Sequence, residues 1–302
     1  MKLVNKPSRF FIVLAFFSAI VIFSCKKENS GMSADDQKNV SLTAAESNAE
    51  AEFVFNDVFD NVMGVNNDVG MQGTGVFGRV MNTDGSTERP LYCFTVTINK
   101  LAAPAIFPLQ IIIDFGGGCE GKDGHVRKGK IIANYSGRLI TAGNSASVTF
   151  DGFSIDSIQV AGTETISNTT ATGNRQFTID VKDARLDKPN GNYTEWNNHK
   201  IITQTDGLNT PDMALDDVFT MEGNSAGQFK NGNTLAAWQS DIENALVKKF
   251  LCRWIVQGKI KISLGSSSAN SQWNAELDYG QGACDNTATV TINGSTQEIS
   301  LH

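Results

Sequence analysis

The chain has 302 residues, 40% of them hydrophobic and 19% charged, with a net charge of −7. That length and apolar content suffice to bury a core in one or two domains, and they exclude collagen-like, wholly disordered and cysteine-dense miniature chains. The acidic balance, with no Lys/Arg-rich run beyond the first few dozen residues, excludes an electrostatically driven nucleic-acid partner.

Residues 1–24 join a basic start (Lys2, Lys6, Arg9) to an apolar run from Phe10 to Phe23. The run is too short to span a bilayer comfortably and has the layout of a secretory signal. It ends Ser24-Cys25-Lys26-Lys27, and a small residue ahead of a lone cysteine resembles a bacterial lipobox, although Phe23 departs from the small residue usual two places before the cysteine. The expectation is a cleaved 1–24 signal peptide and a lipidated Cys25, giving an outer-membrane lipoprotein of the cell envelope. The alternatives are an uncleaved anchor helix, or an ordinary signal with an incidental cysteine. Loss of Lys2, Lys6 and Arg9, with no acidic group, moves the net charge from −7 to −10. Residues 25–45 are rich in Ser, Asn, Asp and Lys and read as a flexible tether. Lys26-Lys27-Glu28 partly resembles the signals that send some Bacteroidota-type lipoproteins to the cell surface, so surface exposure is favoured.

Residues 46–302 form the folded part. A helix is predicted over Ala44–Val62, where Phe53, Val54, Val58, Phe59 and Val62 recur near helical spacing behind Glu46, Glu50 and Glu52, and Asn66-Asn67-Asp68 with Gly70 stop it. From Gly75 the texture changes to short β-branched runs: Tyr92–Ile98, Gln110–Phe115, Gln176–Val181, Lys259–Leu264 and Ala288–Ile292. Turn dipeptides (Asp84-Gly85, Asp123-Gly124, Asp151-Gly152, Asn190-Gly191, Asn231-Gly232, Asn293-Gly294) separate them and supply the positive φ of hairpin turns. Asp241–Phe250 fits either a strand or a short helix. The fold class is therefore all-β: an antiparallel, sandwich-like or extended meander body with one short N-terminal helix.

With Cys25 assigned to lipid, four cysteines remain. Cys93 opens a strand-like run that leads to Ile113-Asp114-Phe115-Gly116-Gly117-Gly118-Cys119; Cys252 opens another that leads to Leu277-Asp278-Tyr279-Gly280-Gln281-Gly282-Ala283-Cys284. The repeated pattern suggests two related halves, at about 75–165 and 166–302. An even count in an exported chain supports disulfides Cys93–Cys119 and Cys252–Cys284, one of three connectivities, each contributing on the order of 3 kcal/mol in the loop-entropy account. A four-cysteine metal site lacks any close C-x-x-C pair, so no metal and no cofactor is expected.

Residues Ile113–Ile131 with Tyr135-Ser-Gly-Arg138, then Cys252-Arg-Trp-Ile-Val-Gln-Gly258 and Leu277–Gly294, resemble an uncharacterised Bacteroidota-type cell-envelope lipoprotein family. The resemblance runs from about Glu46 to the C-terminus. It implies an envelope lipoprotein with β structure and carries no functional residue with it.

Catalytic signals are weak. Gly116–Lys122 nearly matches a phosphate-binding loop, but Asp123 stands where Ser or Thr would hold magnesium, and no helical pattern follows. Gly223-Asn224-Ser225-Ala226-Gly227 matches a nucleophile elbow without a helix after the serine, and the only histidine downstream is His302; His125 and His199 lie upstream. Asp114 and Asp278 occupy matching places in the two repeats, which favours a repeated hydrogen-bonding role over a glycosidase pair. Asp206, Asp212, Asp216 and Asp217 form no twelve-residue calcium loop. Trp238, Trp254 and Trp273 fall in strand-like runs and are assigned to the core. The least bland surface segment is Asn190–His199. There Tyr193 and Trp196 among amides, with Asn197 and His199, offer a stacking face and hydrogen-bonding groups for a saccharide; the alternative is that the two rings pack beneath the loop. The sequence thus leads to a non-enzymatic envelope module for structure or recognition, held to the membrane by its lipid, with an envelope protein or polysaccharide as partner. A glycan-binding accessory lipoprotein is the second reading, and an envelope hydrolase the third.

Overall fold

The computed structural model describes residues 32–63, 93–121, 123–210, 216–265 and 273–301. Cys25 and the apolar run before it, the helix-stop residues 66–70, Asp84-Gly85, Lys122, Asp212 and His302 lie outside the described residues.

One helix, α1 (Ala34–Met63), precedes fourteen strands: β1 (Thr95–Lys100), β2 (Leu109–Asp114), β3 (Cys119–Glu120), β4 (Val126–Tyr135), β5 (Ser145–Ile155), β6 (Ile158–Asn168), β7 (Gln176–Asp187), β8 (Tyr193–Asp206), β9 (Val218–Asn231), β10 (Thr234–Lys249), β11 (Ile255–Leu264), β12 (Ala275–Gln281), β13 (Thr287–Ile292) and β14 (Ser295–Ser300). They form one antiparallel sheet in chain order, with the two-residue β3 paired onto β4. The sheet is a meander that is not closed into a barrel, so β1 and β14 are its edges. Asp241–Phe250 resolves as strand over most of its length, in β10.

The expected all-β antiparallel body is therefore present, with α1 in place of a second sheet as the opposing layer. The helix is not short: its 30 residues extend about 45 Å. It begins at Ala34, so the tether expected over 25–45 is corrected from that point onward. Ser33 caps it, its Oγ accepting from the Asp36 N–H at 3.1 Å and donating to the Asp36 carboxylate at 2.7 Å, an N-cap on the Ser-x-x-Asp pattern. Val40, Ala44 and Ala45 are already buried.

Side chains of α1 meet the sheet from β4 to β14, so the sheet curls around it. Near its start, Lys38 reaches Ser295 at the β13–β14 turn and Ser41 donates to the Trp273 carbonyl. Near its end, the Tyr135 hydroxyl donates to the Val62 carbonyl at 2.7 Å and Phe59 meets Phe250. The sheet thus has a helix-entry end, with the β5–β6, β7–β8, β9–β10 and β13–β14 turns. The β1–β2, β4–β5, β6–β7, β8–β9, β10–β11 and β12–β13 connections lie at the helix-exit end.

Asn190-Gly191, Asn231-Gly232 and Asn293-Gly294 lie at hairpin turns as expected. Asp151-Gly152 does not; it lies inside β5, where the register with β4 shifts between Lys128 and Lys130, a bulge rather than a turn. Both disulfides are present, with Cα–Cα separations of 5.2 Å for Cys93–Cys119 and 5.8 Å for Cys252–Cys284. The expected division into halves near residue 165 is corrected: that position lies within β6, and one apolar cluster runs from α1 to β14.

Candidate functional site: a polar cleft at the helix-entry end

The interior facing α1 is unusually polar for a core, and the helix sequence requires it. Glu50, Glu52, Asp57 and Asp60 project from a buried helix, where an unpaired charge is costly. The sheet supplies cations to meet them. Lys200 of β8 pairs with Glu52, Lys248 of β10 with Asp60 at 2.8 Å, and Lys188 with Glu50 at 2.9 Å. Arg127 of β4 bridges Asp57 and Asp123 at 2.5 and 2.6 Å. Burial opposes the charge on Arg127, yet Asp57 and Asp123 hold its pKa above the usual guanidinium value. Burial pushes Asp60 up to about 6 despite Lys248, and pushes Glu164, on β6, well above the carboxylate range.

Asn48 is a second polar centre. Its side-chain oxygen accepts from the indoles of Trp196 and Trp238 at 3.2 and 3.3 Å and from the hydroxyls of Ser225 and Ser240 at 2.9 and 3.3 Å. One helix amide thereby fixes four side chains on β8, β9 and β10. Gly227 on β9 makes room for this arrangement: a Cβ there would lie 2.6 Å from the Trp238 ring.

The cleft itself opens at the helix-entry end and has a volume of about 580 Å³. Four segments of the chain build it. The first half of α1 contributes Thr43 and Ser47, the β7–β8 and β9–β10 tips contribute Asn190, Asn192, Tyr193 and Asn231, and β14 contributes Gln297 and Ser300. Asn192 ties the two tips together, donating to the Asn231 side chain and accepting from the Gly232 N–H, both at 2.9 Å. The Glu50–Lys188 pair lies along the same wall. Arg185 sits over one face of the Tyr193 ring, 3.9 Å from its centroid. The result is a pocket of amides and hydroxyls with Tyr193 at its rim, lined also by the Glu50–Lys188 pair and by Glu46, Lys230 and Glu298.

The four residues expected to form a saccharide site do not share a surface. Tyr193–His199 is strand, not hairpin tip, and alternates across the sheet. Tyr193 shares the outward face of β8 with Asn197 and His199 and reaches the rim of the end cleft, whereas Asn197 and His199 lie over a separate shallow depression beside the β7 bulge. There Asn197 accepts from the Asp183 N–H at 2.8 Å and His199 meets Asp180 at 2.7 Å. Trp196 points to the opposite side and is 0% exposed, stacked on Phe55; it belongs to the core and is no sugar platform. Trp238 is buried as assigned, while Trp254 and Trp273 are partly buried against the core.

The motif residues have other tasks. Ser225 lies within β9, turned inward to Asn48 and Ser240, while His199 on the facing strand is turned outward, so the two cannot act as a base–nucleophile pair. His125 is held by Asp156 and packs on Phe53. Asp114 and Asp278 each accept from the N–H two residues on, Gly116 at 2.8 Å and Gly280 at 2.9 Å. Asp217 is buried next to Arg175, and burial pushes its carboxyl up to about 7. Among the described residues no three His, Cys, Asp or Glu side chains are grouped to hold a metal ion. Thr43, Ser47, Gln297 and Ser300 were not singled out in the sequence, because nothing local marks four separated polar segments as one pocket. Comparison with protein-family models, with curated proteins and with solved structures finds no match for this chain.

Proposed function

We propose that this is a lipid-anchored cell-envelope protein, a non-enzymatic recognition module that binds a saccharide in the helix-entry cleft. The observation that carries the reading is the cleft: it gathers Asn190, Asn192, Asn231, Gln297, Thr43, Ser47 and Ser300 beside Tyr193. Amides and hydroxyls alternate donors and acceptors as sugar hydroxyls do, and a neighbouring aromatic side chain favours an apolar sugar face. Supporting the non-catalytic part, Ser225 is turned inward onto Asn48, His199 lies on the opposite face, and Asp114 and Asp278 accept the N–H groups of Gly116 and Gly280. The Cys25 segment supports the anchor.

Calorimetric titration of the full-length protein with envelope polysaccharide fragments tests the reading. Binding is expected, with affinity reduced about tenfold or more in Tyr193→Ala, comparable to the loss of a well-placed ring contact and its hydrogen bond, and with the unfolding midpoint little changed. Undiminished saccharide binding in Tyr193→Ala, or in Asn192→Ala, overturns it.

A further inference from the structure

Among the described residues, the most apolar exposed stretch lies far from the cleft, at the helix-exit end. Leu101-Ala-Ala-Pro-Ala-Ile-Phe-Pro108 joins β1 to β2 without one polar side chain. Residues 101–106 are all exposed, Leu101 at 53% and Ile106 at 56%. Phe107 is half-buried and packs against the core, which roots the tip in the body. We propose that this tip is a lipid-insertion element that docks the body on an anionic phospholipid bilayer, a contact separate from any acyl chain on Cys25 and from the saccharide cleft.

Size, backbone and charge favour lipid over a protein partner. The tip is a single turn of eight residues, 101–108, well short of the roughly 20–30 residues a side that a stable protein interface uses. Its backbone needs few outside partners: the Leu101 N–H donates to the Pro108 carbonyl at 2.9 Å and the Ala105 N–H to the Ala102 carbonyl at 3.0 Å. Pro104 and Pro108 have no N–H to satisfy, which lowers the penalty of entering the acyl boundary.

The third argument is the sign of the surrounding charge. The β1–β2, β4–β5 and β6–β7 connections are neighbours along the sheet. Residues 100–108, 136–144 and 169–175 hold Lys100, Arg138 and Arg175 and no Asp or Glu, in a protein of net charge −7. Arg175 already faces Asp217 at 3.9 Å, and Lys100, exposed at the foot of the tip, is the cation next to it in the chain. Among the described residues of the connections at this end, carboxylates return farther along, at Asp206, Asp216, Asp217 and Asp285. An apolar wedge in an acid-free basic rim matches an anionic interface, where each nearby Lys contributes about 1 kcal/mol.

The test uses full-length protein reconstituted in phosphatidylcholine–phosphatidylglycerol vesicles, with Ile106→Trp as the reporter. Trp196 and Trp238 are buried and Trp254 and Trp273 partly buried, so the signal of the protein without the reporter is subtracted as background. The added fluorescence is expected to be quenched by brominated phospholipid. That quenching should fall about fivefold or more when Lys100→Glu and Leu101→Asp are introduced, the fold-change that one headgroup contact alone provides, while the unfolding midpoint stays constant because all three side chains are exposed. An added signal indifferent to brominated lipid, as a tip in water or reserved for a protein partner would give, overturns the proposal.

Discussion

The hairpin β1–β2, closed by Cys93–Cys119, and the hairpin β11–β12, closed by Cys252–Cys284, follow one local recipe and have different fates. Both run cysteine, strand, strand, apolar-Asp-aromatic-Gly, cysteine. In both, the aspartate accepts the N–H of a glycine with positive φ, +58° at Gly116 and +88° at Gly280, a conformation that L side chains resist. In both, the aromatic ring, Phe115 or Tyr279, turns into the core. The surroundings then diverge. An odd number of places separates the two hairpins along the antiparallel path, which reverses their direction. Cys93–Cys119 therefore lies at the helix-entry end and Cys252–Cys284 at the helix-exit end. β1 is an exposed edge, whereas β11 and β12 are paired on both sides and approached by α1. Local sequence sets the turn; position in the meander sets what the hairpin supports.

The largest expected effect tests that dependence on the helix. Glu52 and Lys200 are both almost fully buried, with side chains 3% and 4% exposed. Lys200→Met leaves Glu52 uncompensated and Glu164 without its nearby cation, a loss of about 3–5 kcal/mol. Removing both members, Glu52→Met with Lys200→Met, is expected to recover most of it, since an apolar pair of similar volume is often neutral. Urea unfolding gives the energy, and amide exchange gives its distribution. Protection should fall first in β11–β12, which pack on α1, and less in β1–β2. Equal loss in both hairpins would break the distinction drawn between them.

What was legible in the sequence follows the same division. The Asn-Gly turns, the disulfide pairs and the matched roles of Asp114 and Asp278 are local or strongly patterned, and they were readable, whereas Asp151-Gly152 has the composition of a turn and forms a bulge inside β5. The helix was readable only from Ala44, where apolar spacing begins. Its first ten residues look like a solvated tether because their partners, the Trp273 carbonyl and Ser295, come from the far end of the chain. One local signal was available there, the Ser33-x-x-Asp36 capping pattern. Trp196 misled for a related reason. The inward face of β8 carries Thr194, Trp196, Asn198 and Lys200, a polar set that reads as surface until Asn48 and Glu52 are known to face it. The cleft was half legible: its tips are Asn-Gly turns, but the helix and β14 walls reach it through topology alone.

Removing the disulfides sharpens the comparison at intermediate magnitude. The closed loops are similar, with sequence separations of 26 and 32, so chain entropy alone assigns about 3 kcal/mol to each. Cys252→Ser with Cys284→Ser is expected to lower global stability by about that amount, because β11 and β12 unfold with their neighbours. Cys93→Ser with Cys119→Ser is expected to lower the urea midpoint less and instead to raise exchange within β1–β2, since an edge hairpin opens without the rest of the sheet. Equal midpoint shifts would mean that the edge hairpin is as integral as the central one.

The smallest effect addresses the recipe itself. Asp114→Ala and Asp278→Ala each delete one turn bond of nearly equal length, 2.8 and 2.9 Å, at a cost of about 1 kcal/mol. Asp278 has one further contact, Lys259 at 3.2 Å, but that lysine is partly exposed and keeps Glu276 at 2.6 Å after the change. Such a half-solvated contact adds little, so the two variants should fall within about 0.5 kcal/mol of each other in urea unfolding. Agreement means that the apolar-Asp-aromatic-Gly turn is a self-contained device, worth the same at an edge as beside the helix. A clearly larger loss in Asp278→Ala means that the turn draws strength from the sheet around it, and that the likeness of the two hairpins ends at their sequences.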